Sequence, residues 1–580
     1  MSSAIVTSAR RALDRFPAGD GSGASAAAVV SPASVASPAA VASPAERAAW
    51  ADALIDSGDL DAAAGQVIAA LRVDAQAPET LLTVVRRFTG DHARAVMAAA
   101  IDHGRVNAAS NDWTPRPSPA GAVAHLAAGS DDAEEALLRA VLVVREYEDH
   151  PTAWYRRNRA HRIGEVLTVL AGAHPGEPER LDRWAQILGD ADRPRLAAAA
   201  ALLAPLGLAE IDRRCGGVDD DTAGFEAVPL ARALAGSGRM TEALELAARL
   251  EPEWRQQALV AVSEVVTDER EARAVVAAFR ACPKAGRERG QQRAHRYRLA
   301  RMLLTFDRID DALAELTKMR DPRAVGHGPA ELAGEIVQWL SRRPGHATGE
   351  RLRTLLDVLE SPHVFHQDLG EQVTAILHRV FVLADPALRT EITGTRAAAL
   401  RAKSRSYERA LVDAGLAAGL LTLGRPDEAT ALLRGAVSTV RGARLHRMAE
   451  TLIGAAADAD LPERDPGLFI EFLGAVADLA FAGPPESTEV AVRLGPVGRA
   501  TATRLLDRFQ KEYVGRWAGW LARAAAETGD FDTLHTLLEN AVDEPTALAI
   551  GRRLAAALAR HGNLTDAHAV ADAYGLRLPG

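Results

Sequence analysis

Apolar positions along this chain recur at helical rather than strand spacing, and one pattern of them repeats. Six segments align without a gap. Each has an apolar residue, then a small one, then another apolar or small residue three positions on. A turn residue, usually Gly, follows four positions later, an apolar residue two after that, and usually Ala three further on. The first copy reads Trp50, Ala51, Leu54, Gly58, Leu60, Ala63, and the last reads Leu554, Ala555, Leu558, Gly562, Leu564, Ala567. The six turn residues are Gly58, Gly238, Asp307, Gly424, Gly529 and Gly562. Positions i, i+1 and i+4 put one apolar stripe on a first helix. The turn residue is expected in the left-handed conformation that ends that helix, which Gly adopts freely and Asp tolerates. Acids at Glu242, Asp311, Glu428 and Asp566 fall in the first turn of a second helix, where they complement its dipole. Each copy therefore predicts a helical hairpin whose apolar face needs a neighbour.

The spacing of the copies fits a repeat of about 34 residues, as in helix–turn–helix repeat arrays. The last two turns are 33 residues apart, Gly238 and Asp307 are 69 apart, and Gly424 and Gly529 are 105 apart. The gaps of 117 and 180 between the other turns divide less cleanly.

Composition narrows this further. The 580 residues are 48% hydrophobic but only 4% aromatic, and alanine fills about a fifth of the chain. Ala and Leu favour helix, and the residues strands prefer are sparse. An all-α solenoid of roughly 25 helices is the expected architecture. The net charge of −9 is not the strong basic excess of a dedicated nucleic-acid binder. No apolar run is long enough for a membrane span. Arg10-Arg11 is not followed by an apolar stretch, so no secretory signal is expected. Cys215 and Cys282 are the only cysteines and lack metal-ligand spacing, so buried free thiols and a cytoplasmic location are expected. The basic residues are nearly all Arg, which together with the alanine load has a bacterial, high-GC flavour.

Three regions are expected. Residues 1–45 read as a flexible Ala/Ser/Pro-rich tail, with Ser-Pro pairs ending at Ser43-Pro44. Residues 46–214 and 225–580 read as two helical repeat regions separated by the Gly-rich stretch from Cys215 to Gly224.

The repeat resembles the tetratricopeptide family. Glu46 to Pro78 is similar to that consensus at Ala51, Ala63 and Ala70 and at the turn Gly58-Asp59-Leu60. The family's aromatic positions are mostly Leu or Ala here, and no uninterrupted run of three full units occurs. The resemblance implies a groove lined by first helices, with the residue six before the turn pointing into it. That position holds Arg232, Arg301 and Arg523 in three copies, and Asp52, Ala418 and Ala556 in the others. A partly basic groove that could hold an acidic or carboxylate-bearing partner is implied. The Asn that the family's carboxylate clamp wants is absent.

Positive evidence for chemistry is scarce. There is no Gly-rich phosphate loop, Rossmann fingerprint, nucleophile elbow or His-Glu-x-x-His. No catalytic residue, cofactor or metal ligand is assigned. His363, His366 and His378, near Asp368 and Glu371, read as surface or helix-end histidines, with a metal site as the alternative. A basic cluster spans residues 284–301: Lys284, Arg287, Arg289, Arg293, His295, Arg296, Arg298 and Arg301 against one acid, Glu288. A smaller one has Trp154, Tyr155, Arg156, Arg157, Arg159 and Arg162. A solvated helix face is the plain reading of both. The candidate partner-binding residues are Arg232, Arg293, Arg296, Tyr297, Arg301 and Arg523. The expected function is a protein–protein scaffold or adaptor. A nucleic-acid-associated regulator using 284–301 and an enzyme with a pocket in a helical toroid stay as alternatives.

Overall fold

The structure, a computed structural model, describes residues 42–73, 79–103, 106, 119–142, 153–216, 220–282, 289–319, 329–360, 370–403, 406–437, 446–479, 487–508 and 511–576. Most of the 1–45 segment lies outside them. The described residues are all-α, with no strand, and contain 32 α-helical segments. That exceeds the expected number because short pieces such as Ala200–Leu203 and Leu461–Arg464 stand as separate helices.

The chain divides into two compact units, residues 42–308 and 309–577. The first begins with α1 (Pro44–Asp56), α2 (Leu60–Val73), α3 (Glu79–Val85), α4 (Gly90–Asp102), α5 (Pro119–Ala127) and α6 (Asp131–Leu142). It continues with α7 (Ala153–Ala173), α8 (Arg180–Asp192), α9 (Ala200–Leu203), α10 (Leu208–Cys215), α11 (Asp220–Gly236), α12 (Met240–Arg249), α13 (Pro252–Ser263), α14 (Glu269–Ala281) and α15 (Arg289–Thr305). Here first helices pack on first helices: α1 on α3, α3 on α5, α5 on α7, α11 on α13 and α13 on α15. Second helices do the same, with α2 on α4, α6 on α8 and α12 on α14. Each hairpin thus touches its neighbours in sequence, which is the packing of a solenoid.

The second unit repeats the arrangement. It contains α16 (Ile309–Lys318), α17 (Pro329–Arg342), α18 (Gly349–Leu359), α19 (Gly370–Leu383), α20 (Pro386–Glu391), α21 (Ala397–Lys403), α22 (Ser406–Thr422), α23 (Pro426–Val437) and α24 (His446–Asp458). After these come α25 (Leu461–Arg464), α26 (Pro466–Leu479), α27 (Glu489–Arg493), α28 (Gly495–Arg504), α29 (Lys511–Thr528), α30 (Phe531–Glu539), α31 (Glu544–Arg560) and α32 (Leu564–Ala573). One layer runs α17, α19, α22, α24, α27, α29, α31, and the other includes α23, α26, α28 and α30 in succession.

The turns behave as the repeat requires. All six have positive φ, from 56° at Asp307 to 86° at Gly58. In all six, the residue after the turn donates its N–H to the carbonyl of the i+4 position: Asp59 to Leu54 (2.9 Å), Arg239 to Leu234 (2.9 Å), Arg308 to Leu303 (2.8 Å), Arg425 to Leu420 (2.9 Å), Asp530 to Ala525 (2.8 Å) and Asn563 to Leu558 (2.9 Å). This is the long bond of a Schellman cap, which satisfies a helix-end carbonyl. Asp530 and Asn563 then cap the second helix by accepting from Thr533 and Asp566 N–H. The repeat's apolar stripe is core: Ala51, Ala231, Ala300, Ala417, Ala522 and Ala555 are all fully buried.

The structure also fills the long gaps. Left-handed turns at Gly424, Asp460, Gly495, Gly529 and Gly562 follow one another at 33 to 36 residues. Between Gly58 and Gly238, glycines at 90, 129, 176, 189, 207 and 216 also have positive φ, so turns recur there at less regular spacing. The hairpin α13–α14 occupies the interval between Gly238 and Asp307 without a left-handed residue.

Close packing between first helices is sharpest where α22 meets α19. A Cβ on Gly415 would lie 2.9 Å from the Thr374 carbonyl oxygen, and one on Gly419 would lie 2.4 Å from Phe381 Cδ1. Backbones come this near only where no side chain intervenes. The Thr374 hydroxyl uses the proximity to donate to Leu411 O at 3.1 Å.

Candidate functional site

Electrostatics on the second-helix layer come first, because they decide which charges are already committed. Arginines there reach acids one hairpin away. Arg180 meets Asp131 at 2.8 Å, Arg214 meets Asp182 at 2.8 Å, and Arg249 meets Asp212 at 2.8 Å, so α6, α8, α10 and α12 are laced in sequence. In the second unit Arg351 meets Asp310 at 2.8 Å, and Arg396 meets Asp357 and Glu360 at 2.7 and 2.8 Å. These acids hold the Arg396 guanidinium above its ordinary value despite burial. The length and fork of Arg suit this bridging, which gives the Arg-for-Lys bias a structural use.

One acid of this layer is fully enclosed. Glu134 accepts from His174 Nε2 (2.6 Å), Arg180 (3.2 Å), Trp184 Nε1 (3.2 Å) and the Gly129 N–H (3.3 Å). It is a buried charge with its partners present, as such groups must be.

The candidate partner-binding residues sit as follows. Arg232 on α11, Arg301 on α15 and Arg523 on α29 are exposed, each flanked by buried repeat positions. Arg232 lies 3.4 Å from Glu264 at the end of α13. Arg301 stands over the ring of Tyr297, 5.9 Å from its centroid, so one helical turn brings cation and aromatic face together. Tyr297 itself is buried, only 5% exposed. Arg523 has no hydrogen-bond or ion-pair partner among the described residues. Arg296 is half-buried. The side chain of Arg293 and residues 283–288 lie outside the described residues.

Helical rotation divides the 284–301 cluster. His295 is buried and stacks on Phe279 at 4.8 Å. Arg298 turns to α13, donating to Gln256 Oε1 at 3.1 Å, and burial lowers its pKa. Arg301 faces solvent. Each three-residue step turns about 60° round the helix, so Arg301 lies roughly 120° from His295 and the cluster is spread from the core to solvent.

Of the smaller cluster, the side chains of Trp154 to Arg159 lie outside the described residues, while Arg162 is buried at 3% exposure. Around it stand His161, Glu165, Arg195 and Glu226. Glu226, 2% exposed, accepts from Arg195 at 3.1 Å, and burial pushes its pKa up. His161 Nε2 lies 3.3 Å from Glu165, which raises the histidine's pKa. This ionic knot ties α7 to α11. It was not legible in sequence because it joins three stretches, 161–165, Arg195 and Glu226, that lie 30 to 65 residues apart.

His363, His366 and Asp368 lie outside the described residues, as does the side chain of Glu371. His378 is half-buried on α19, 3.0 Å from the Thr422 hydroxyl, and burial pushes its pKa down to about 4. Among the described residues no cluster has a metal-ligand arrangement. Cys215 and Cys282 are buried free thiols, and burial pushes Cys215 up to about 12. No helix among the described residues is long and apolar enough to cross a membrane. A cavity of about 470 Å³ opens beside the buried Arg499–Asp530 pair (2.9 Å), between Val492, Pro496, Gly529 and Phe531. Arg499 is already saturated there by Asp530 and by the carbonyls of Ala491 and Val492.

No family model matches this chain, and no curated protein matches it. A solved structure described as a circular tandem repeat protein with novel repeat topology and enhanced subunit contact surfaces aligns with 88% of this chain and 97% of its own, at 16% identity. Its TM-score is 0.16, too low to carry an argument. The assignment as an all-α helical repeat protein rests on the hairpins and turns described above.

Proposed function

We propose that this chain is a tetratricopeptide-like scaffold that grips an acidic partner segment along its first-helix layer. The observation that carries the reading is one of register. The same hairpin position is an exposed arginine on α11, α15 and α29, with the stripe beside it buried. Exposed cations at one repeated register position, two of them in the first unit, offer forked donors, and carboxylates match that fork. The two buried free thiols support a reducing, cytoplasmic setting for such a scaffold.

The test uses the full chain and a labelled, extended Asp/Glu-rich peptide in fluorescence anisotropy. Arg232→Glu with Arg301→Glu keeps helical circular dichroism and weakens binding by tenfold or more, at about 1.5–3 kcal/mol per lost charged hydrogen bond. Unchanged binding by the double variant sinks the groove assignment.

A further inference from the structure

The cavity beside the Arg499–Asp530 pair lies between two successive turns of the second unit, at Gly495 and Gly529, both with φ 67°. These turns lead into α28 and α30, neighbours in the second-helix layer. The matching place in the first unit lies between the turns at Gly207 and Gly238, which lead into α10 and α12. There the gap is filled. Arg239, the residue after the second turn, reaches back across it. Its Nη1 lies 2.8 Å from where a Cβ on Gly207 would stand, and donates to Glu242 Oε1 at 2.8 Å. Its Nη2 donates to the Pro205 carbonyl at 2.8 Å. A guanidinium thus plugs the space between two hairpins.

The second unit lacks that plug. The residue after its second turn is Asp530, which is shorter than Arg and is already engaged. It caps α30 at the Thr533 N–H and pairs with Arg499 at 2.9 Å. The space left open is about 470 Å³, inside the roughly 300–1,000 Å³ of ligand pockets. Val492, Pro496 and Phe531 give it apolar walls. The ring of His561 braces Phe531, 5.6 Å away and at 78° to it. Of the charged residues lining the cleft, Arg499 and Asp530 neutralise each other, which leaves Asp532 in excess. Its carboxylate is exposed and has no hydrogen-bond or ion-pair partner among the described residues. The carboxylate of Glu463, with Oε1 3.4 Å from where a Cβ on Gly495 would stand, also has none. Aliphatic walls, an aromatic ring and uncompensated carboxylates suit an alkyl cation, whose stem packs on the walls while its head meets ring and acid.

We propose that this cleft takes the arginine side chain of a protein partner, in the place that Arg239 holds in the first unit. Arginine fits better than lysine, because a planar head lies on an aromatic ring while its fork meets a carboxylate. The site prefers the opposite charge from the Arg232, Arg301 and Arg523 register and stands without it.

The experiment titrates the full chain by calorimetry with end-blocked arginine, and with end-blocked lysine and citrulline, the latter a neutral isostere of arginine. The arginine compound binds saturably in the millimolar range of a single side chain, lysine binds more weakly, and citrulline does not bind. Binding slows hydrogen exchange in peptides covering 492–499 and 528–532. An arginine placed inside an otherwise uncharged peptide binds at least as tightly as the end-blocked amino acid. Asp532→Asn weakens binding about tenfold. Thr528→Trp, at an exposed residue that lines the cleft from the end of α29, fills it and abolishes binding. Both variants keep wild-type helical circular dichroism. The proposal is overturned if the arginine compound does not saturate, if lysine or citrulline binds as tightly, or if either variant binds like wild type. Protection confined to other segments, or loss of binding when the arginine is placed in a peptide, overturns it equally.

Discussion

Gly419→Ala tests the close approach of α22 to α19 most directly. The added methyl would sit 2.4 Å from Phe381 Cδ1, 3.1 Å from Cγ and 3.2 Å from Cβ. Carbon atoms prefer about 3.5–4.0 Å, so the helices must part by about 1 Å or the ring must turn. Phe381 is fully buried, and its neighbours leave it nowhere to go without disturbing them. Overpacking of this kind costs about 1–3 kcal/mol. Ala in place of Gly returns roughly 1 kcal/mol of helix propensity. The expected net loss is therefore about 0–2 kcal/mol. Because the chain has two units, a single global transition is not assumed. The assay is native-state hydrogen exchange read on peptides from 370–383 and 406–422, supported by urea unfolding. Phe381→Leu should recover part of the loss in the double variant, with a coupling of about 1 kcal/mol or more. Gly172→Ala is the control: that glycine is exposed near the end of α7 with nothing within 4 Å of a Cβ, so the same change should stabilise by roughly 0.5–1 kcal/mol. A Gly419→Ala protein stabilised as much as Gly172→Ala, or additivity with Phe381→Leu, would refute the close-approach argument.

Three further outcomes are expected. Glu134→Gln leaves His174 and Arg180 without the charge they share, and should cost about 3–5 kcal/mol in urea unfolding, as for a broken buried pair. Asp307→Gly relieves a φ of 56° and should raise stability by roughly 0.5–1 kcal/mol, while Gly238→Ala at φ 76° should lower it by about as much, both read by thermal melting. His378 has a folded pKa of about 4 against an ordinary 6.5, so the unfolded chain binds the proton first. Stability is therefore present above pH 6.5 and lost as pH falls toward 4. In melting curves across that window, His378→Gln should show a shallower loss than wild type, and a parallel curve would rule this out.

Within this sequence, local chemistry determined the hairpins. Leu-Ala-x-x-Leu followed by Gly fixes an apolar stripe and a left-handed cap within a dozen residues, and all six copies fold that way. Asp307 was readable for the same reason, since Asp tolerates positive φ. The copies at Asp460 and Gly495 were not, because short or interrupted helices there break the pattern while keeping its spacing. The alanine excess was legible as helix, but its use was not. Whether Gly415 and Gly419 weaken a helix or let two helices touch depends on partners 38 to 41 residues away. The charges show the same division. Sequence collected Arg289 to Arg301 into one basic run, but helical rotation of about 60° per three residues sent His295 inward, Arg298 to α13 and Arg301 to solvent. Sequence also saw no distinction between Arg396 and Arg379. Only tertiary packing decided that one meets three acids while the other meets none among the described residues, because the field at a side chain is set by what neighbouring hairpins place beside it.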